Sequence, residues 1–380
     1  MREKSPLFTP LILAVWALIM CLAVAFSLTS VKQTISPAYD TMVDAANIAR
    51  QAMDEVKQEK LRRGIAISED DILETGMIGE YYSSIVTTVG VLEAKRTTVN
   101  PNWAAVVVGM FRRANLRSGD HIATVFSGSF PALNICVMAA AQAYGLKQCV
   151  MASVGSSYYG ATCEQFTFFD MAEHLYSKDI LKHRIDYVSL GGDSDVGNNF
   201  FDDGVKEEIM SRIKASGVTF IYEQDYVKNI DMRIAYLNED VPNVKFVINV
   251  GGGIVGLGTG ANAFVQTGYV EPRFTNSSKV TLWGRDNDCG LLQYYLAQGI
   301  PVASLLNIKG LALTYGVPYD PVERQQIGVG QMYYSNEYSP VIPSIAIALS
   351  IGIGVFFFIY CKRGIVKESK DERNYILYRR

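Results

Sequence analysis

The chain has 380 residues, 49% of them hydrophobic and 19% charged, with a formal net charge of −3. That apolar share excludes a disordered chain, and enough residues remain for one large core or two small ones. The charge is uneven, with +4 over the last 19 residues and +1 over the first ten, which leaves −8 in between. An acidic central region without a basic stripe excludes nucleic acid as a partner. The 6 cysteines and 3 histidines show no zinc-like spacing.

Two uncharged apolar stretches, Leu11–Leu28 and Val341–Cys361, approach the ~20 residues that a helix needs to cross a bilayer. Basic residues gather on their outer sides, at Arg2 and Lys4 and from Lys362 to Arg380, and neither inner flank carries a comparable cluster. The positive-inside tendency therefore predicts two transmembrane helices in the cell (inner or plasma) membrane, both termini cytoplasmic and the large domain extracytoplasmic. The first apolar run exceeds the ~7–15 residues of a signal-peptide core, which favours a retained anchor over cleavage at the loose Ala23-x-Ala25 site. The resulting organisation is a short tail over 1–10, a membrane helix over 11–28 and a helical stalk or linker over 29–75. An α/β domain follows over 76–335, then a second membrane helix over 341–361 and a basic tail over 362–380.

Ser36-Pro37 opens a helix over Tyr39–Arg63 that Gly64 ends. Met42, Ala45, Ala46, Ala49, Met53 and Val56 recur along it at helical spacing, as in a stalk or a first cover on a core. Asn100-Pro101 caps a helix reaching about Asn115. The pattern then alternates. Strands are predicted over His121–Phe126, Gln148–Ser153, Asp186–Leu190, Val218–Tyr222, Lys245–Val250 and Val302–Leu306. Helices are predicted over Ala132–Tyr144, Phe168–Lys178, Asp203–Ser216, Tyr226–Leu237 and Asp288–Gln298. Alternation at this spacing predicts an α/β fold with a mainly parallel, doubly wound, Rossmann-like sheet.

Four small-residue loops fall at predicted strand ends: Ser127-Gly128-Ser129-Phe130-Pro131, the Ser153–Gly160 segment, the Gly191–Gly197 segment, and Gly251-Gly252-Gly253. In open α/β sheets ligands bind outside the carboxyl ends of the strands. Glycine there lets backbone approach a ligand, and hydroxyls at helix starts suit an anion. Tight turns and helix caps alone also call for glycine and serine. The candidate ligand-binding set is Ser127, Gly128, Ser129, Gly155, Ser156, Ser157, Gly192, Asp193, Ser194, Gly251, Gly252 and Gly253. Lys95 and Arg96, from the polar stretch Thr87-Thr88 to Asn100-Pro101, are the candidate cations; that stretch also reads as a solvated loop with a helix cap. Arg285 is a further isolated cation.

Other chemistries fit less well. Gly251-x-Gly253-x-x-Gly256 matches the dinucleotide fingerprint formally, with Glu271 twenty residues on. Glycines at 256, 258 and 260 make the required helix poor, so no cofactor is assigned. The segment Gly155–Gly160 is one residue longer than a nucleophile elbow, and no histidine follows His183. A triad is disfavoured, which leaves Ser129, Ser156 and Ser157 as candidate nucleophiles with Lys95 as the basic candidate. Asp193 and Asp195 form a weak alternative metal site, set against their use as turn formers; no metal is assigned. Cys163 and Cys289 lie in loop-like sequence and are the pair that an oxidising compartment would allow.

Taken together, Thr87-Thr88, Lys95-Arg96, Asn100-Pro101, the Ser127–Asn134 block, the Ser153–Ala161 block and Asn249–Gly253 resemble the bacterial poly-gamma-glutamate system protein family over roughly Gly76–Gly330. The resemblance implies an accessory membrane subunit of poly-γ-glutamate synthesis or export, partnered by an ATP-dependent ligase and a multispanning subunit. It implies no catalytic residue. The expectation is a domain that binds a small anion or a carboxylate at a polymer end. A serine-type hydrolase or transferase acting on the polymer or cell envelope, and a structural scaffold, stand as alternatives.

Overall fold

The structure is a computed structural model that describes residues 8–29, 31–198, 202–241, 243–260, 263–264, 266–272, 288–338, 341, 343–356 and 358–359. It divides into two compact units, one comprising Met1–Ile35 with Tyr334–Arg380 and the other Ser36–Tyr333.

The smaller unit contains α1 (Phe8–Thr29) and β1 (Val31–Ile35), which pairs antiparallel with β11 (Tyr334–Tyr338). Trp16 Nε1 donates to Ser350 Oγ at 3.2 Å within this unit. Among the described residues no helix is long and apolar enough to cross a membrane. This corrects the two expected transmembrane helices, and with them the expected membrane placement and two-sided topology. Arg2, Lys4, the tail 362–380 and Arg285 lie outside the described residues.

The larger unit begins with α2 (Tyr39–Arg62), β2 (Val86–Thr88), α3 (Leu92–Thr98), α4 (Trp103–Arg113), β3 (His121–Phe126), α5 (Pro131–Tyr144) and β4 (Lys147–Ser153). It continues through β5 (Ser156–Ser157), α6 (Phe168–Ser177), β6 (Tyr187–Ser189), α7 (Asp203–Ser216), β7 (Thr219–Phe220), α8 (Tyr226–Asp240) and β8 (Val244–Val250). The last elements are α9 (Ile254–Leu257), β9 (Gly268–Val270), α10 (Leu291–Ala297), β10 (Val302–Leu305) and α11 (Ile308–Tyr315).

The central sheet has 7 strands in the order β7-β6-β4-β3-β8-β10-β9. Strands β3, β4, β6, β7, β8 and β10 pair in parallel, whereas β9 runs antiparallel to β10 at the edge. The expected mainly parallel, doubly wound, Rossmann-like sheet is therefore corrected to a mixed one, accompanied by the two-stranded pairings β2–β5 and β1–β11. The physical reason lies in the glycines after β8. They leave α9 only 4 residues long, and the short β9 meets its neighbour antiparallel, a pairing that requires no helical crossover.

Side chains alternate across the sheet, as strand geometry demands. Ile122, Phe126, Val150, Phe246, Ile248 and Val250 face one buried cluster with α2, α4, α5 and α6. Ala123, Val125, Cys149, Met151 and Val247 face the other, with α8 and α10. Helix α5 is buried from Pro131 to Ala141, which explains why it is apolar on every side. Its small residues meet Ala45, Ala49 and Ala52 of α2, so α2 covers this core. Cys163 and Cys289 form no disulfide with each other.

Candidate functional site

Leaving β3, the chain passes outward through β4, β6 and β7, then returns across β3 to form β8 on its other side. The loops after β3 and β8 thus diverge from a switch point, where a crevice opens at the carboxyl ends of parallel strands. A cavity of about 360 Å³ lies here. Its wall combines Ser127 and Ser129 after β3, Ser153 at the end of β4 with Gly155 beyond it, Gly191–Asp193 after β6 and Gly252–Gly253 after β8. Thr87 and Thr88 of β2 and Asn249 of β8 complete the polar lining.

Glycine is required where these loops touch. A Cβ on Gly160 would meet Ser156 Oγ at 2.3 Å and the Gly128 and Ser129 carbonyl oxygens at 2.7 Å. A Cβ on Gly251, whose φ is +92°, would lie 2.1 Å from Ser127 Oγ. The β3 and β8 loops can therefore meet at this point only without a side chain there.

Beneath the β6 loop lies a buried ion pair. Arg233 Nη2 donates to Asp195 Oδ2 at 2.5 Å, and Arg233 Nε donates to Asn229 Oδ1 at 2.8 Å. Asp195 also accepts from Ser189 Oγ at 2.8 Å and from Asn229 Nδ2 at 3.3 Å. Both ionic side chains line the cavity. Arg233 Nη1 has no hydrogen-bond partner among the described residues. The turn that delivers Asp195 is strained: Ser194 and Asp195 have φ of 55° and 63°, conformations that cost of order 1–3 kcal/mol each without glycine. The network on Asp195 holds it in place.

Lys95 is buried, 2% exposed, behind the Ser129 side of the wall. Its ammonium nitrogen contacts the Ser129 carbonyl oxygen and Ser157 Oγ, the latter at 2.7 Å, and lies 3.8 Å from the centre of the Phe130 ring. Burial lowers its pKa from 10.5 to about 7 because desolvation penalises the charged form.

The structure brings Ser127, Ser129, Gly155, Gly192, Asp193, Gly252 and Gly253 of the candidate set to the cavity. Gly128, Ser156, Ser157, Ser194, Gly251 and Lys95 do not line it. Ser156 is fully buried and donates to the Gly128 carbonyl at 3.1 Å, a structural role. Arg96 is turned elsewhere, donating from Nε to the Asp70 carbonyl at 2.8 Å. The polar stretch containing Lys95 forms helix α3, with Thr97 and Thr98 buried, rather than a solvated loop. In the Asp193–Asp195 alternative, both Asp195 oxygens already accept hydrogen bonds.

Sequence reasoning missed Arg233 and Ser189, and it left Ser153 and Asn249, which open two of the blocks singled out, outside the candidate set. Arg233 sits mid-helix in α8, where one more charge reads as a solvated face. A second cluster was also missed: Glu55 and Glu59 of α2 and His174 of α6 hold their ligand atoms within 4.8 Å of one another. Arg62 and Arg63 join the same carboxylates, so ion pairing satisfies the group. The His174 hydrogen bond holds Glu55 below the usual carboxylate range, and the Arg63 hydrogen bond does so for Glu59.

No family model and no curated protein matches the chain. Among solved structures it has a likeness to the apo form of Escherichia coli diaminopropionate ammonia lyase at 12% identity and a TM-score of 0.15, covering 73% of this chain and 68% of that one. A likeness at that level carries no argument about fold or activity.

Proposed function

We propose that this chain is a binding protein for a small carboxylate-bearing solute and that, within a poly-γ-glutamate system, it takes an end unit of the polymer beside the ligase and multispanning subunits. The observation that carries this reading is the cavity at the β3/β8 switch point, lined by hydroxyls and by a guanidinium with an uncommitted nitrogen. Carboxylates suit such donors, because planar guanidinium and hydroxyl groups both present N–H or O–H to an anionic oxygen. At about 360 Å³ the cavity is near the lower end of the ~300–1,000 Å³ typical of small-molecule sites. It suits one or two glutamyl units. The −8 of the intervening sequence opposes long-range capture of an extended polyanion, which favours recognition of an end over recognition of a strand.

Titration calorimetry of the full chain with L-glutamate, γ-glutamylglutamate and glutarate tests the reading. The expected result is saturable binding of γ-glutamylglutamate that a Ser129→Trp variant loses while remaining folded. Absence of heat with all three solutes at millimolar concentration would overturn it.

A further inference from the structure

A buried lysine is normally held by a carboxylate, yet among the described residues Lys95 has no ion-pair partner. An uncharged amine offers two N–H donors and one lone pair. The Ser129 carbonyl oxygen and the face of the Phe130 ring can take the donors, which leaves the lone pair for the Ser157 hydroxyl at 2.7 Å. Among the described residues Ser157 Oγ has Lys95 as its only hydrogen-bond partner. Ser157 is close to the cavity, since its backbone N–H donates at 3.1 Å to Ser129 Oγ and Ser129 lines the wall.

We propose that Lys95 and Ser157 form a base–nucleophile pair, giving the chain an acyl-transfer activity on amide or ester bonds presented to Ser157. Lys95 takes the Ser157 proton as Ser157 Oγ bonds to the substrate carbonyl carbon. The carbon–nitrogen or carbon–oxygen bond then breaks, and the Lys95 ammonium returns its proton to the leaving amine or alcohol. Water attacks the resulting serine ester, its proton passing through Lys95 to Ser157 Oγ as the acid departs. The net reaction is hydrolysis, without a redox partner. An amine whose pKa has fallen to about 7 by burial is free to act as a base at neutral pH. Ser156, fully buried and committed to Gly128, is excluded as the nucleophile.

The full chain treated with a fluorophosphonate between pH 6 and pH 8, with the modified residue mapped by mass spectrometry, tests the proposal. The expected result is an adduct on Ser157, forming about tenfold faster at pH 8 than at pH 6, the rise expected of a base that titrates near 7. Lys95→Met should slow labelling by roughly 100-fold or more, within the range of general-base contributions. If that variant does not fold, the pH profile of the unaltered chain decides alone. An unmodified Ser157, or a rate that is flat through pH 7, would overturn the pair. The pair lies next to the cavity given the proposed binding role, behind Ser129, and the probe reads Ser157 whether or not any glutamyl compound binds.

Discussion

Arg233 and Asp195 meet at 2.5 Å with side-chain exposures of 2% and 4%, so the cavity rests on an ion pair removed from water. Such a pair tolerates loss of one member poorly, because the survivor remains a buried, unpaired charge. It also fixes the β6 loop, whose left-handed residues have no glycine at 194 or 195 to make that conformation easy.

Arg233→Met should therefore destabilise the protein by about 3–5 kcal/mol, the usual cost of breaking a buried pair. The double variant Arg233→Met with Asp195→Asn should recover part of that loss. Urea unfolding of the three proteins checks it; equal destabilisation by the single and double variants would contradict an ionic role.

Loop contact gives a second expectation. Gly160→Ala places a methyl against two backbone carbonyl oxygens at 2.7 Å and should cost about 1–3 kcal/mol. Gly253→Ala, where nothing lies within 4 Å, should leave the urea midpoint nearly unchanged.

Lys95 makes stability depend on alkaline pH. Its folded pKa is about 7 and its ordinary value 10.5, so between those limits the unfolded chain binds more protons than the folded one. Stability should rise with pH across that window, by as much as about 5 kcal/mol from this group. The contribution is fully present above 10.5 and is lost as pH falls to 7. Lys95→Met should flatten the rise in a series of urea midpoints from pH 6 to pH 10, whereas a slope unchanged by the substitution would contradict a buried neutral amine.

Local punctuation made much of the site legible in the sequence. Ser127–Ser129 and Gly251–Gly253 stand between a strand and a helix start, where the chain must turn and where small residues allow close approach. Helix α2 was visible from the spacing of Met42, Ala45, Ala49, Met53 and Val56, all of them buried. The Arg233–Asp195 pair was not legible, because it joins residues 38 apart whose local sequence resembles a solvated helix and a turn. Lys95 was visible as a cation but not as a buried one, since its burial depends on Phe130 and Ser157 arriving from other segments. The antiparallel edge strand β9 escaped because its 3 residues are too few to show an alternating pattern, and the glycine-rich segment before it gave no helix from which a strand direction could be read.

A crystal structure of the full chain grown with γ-glutamylglutamate tests the binding account most directly. The account predicts the dipeptide in the cavity, with a carboxylate against Arg233 and the Ser127–Ser129 hydroxyls. An empty cavity at saturating ligand, or a dipeptide seated elsewhere on the molecule, would contradict it.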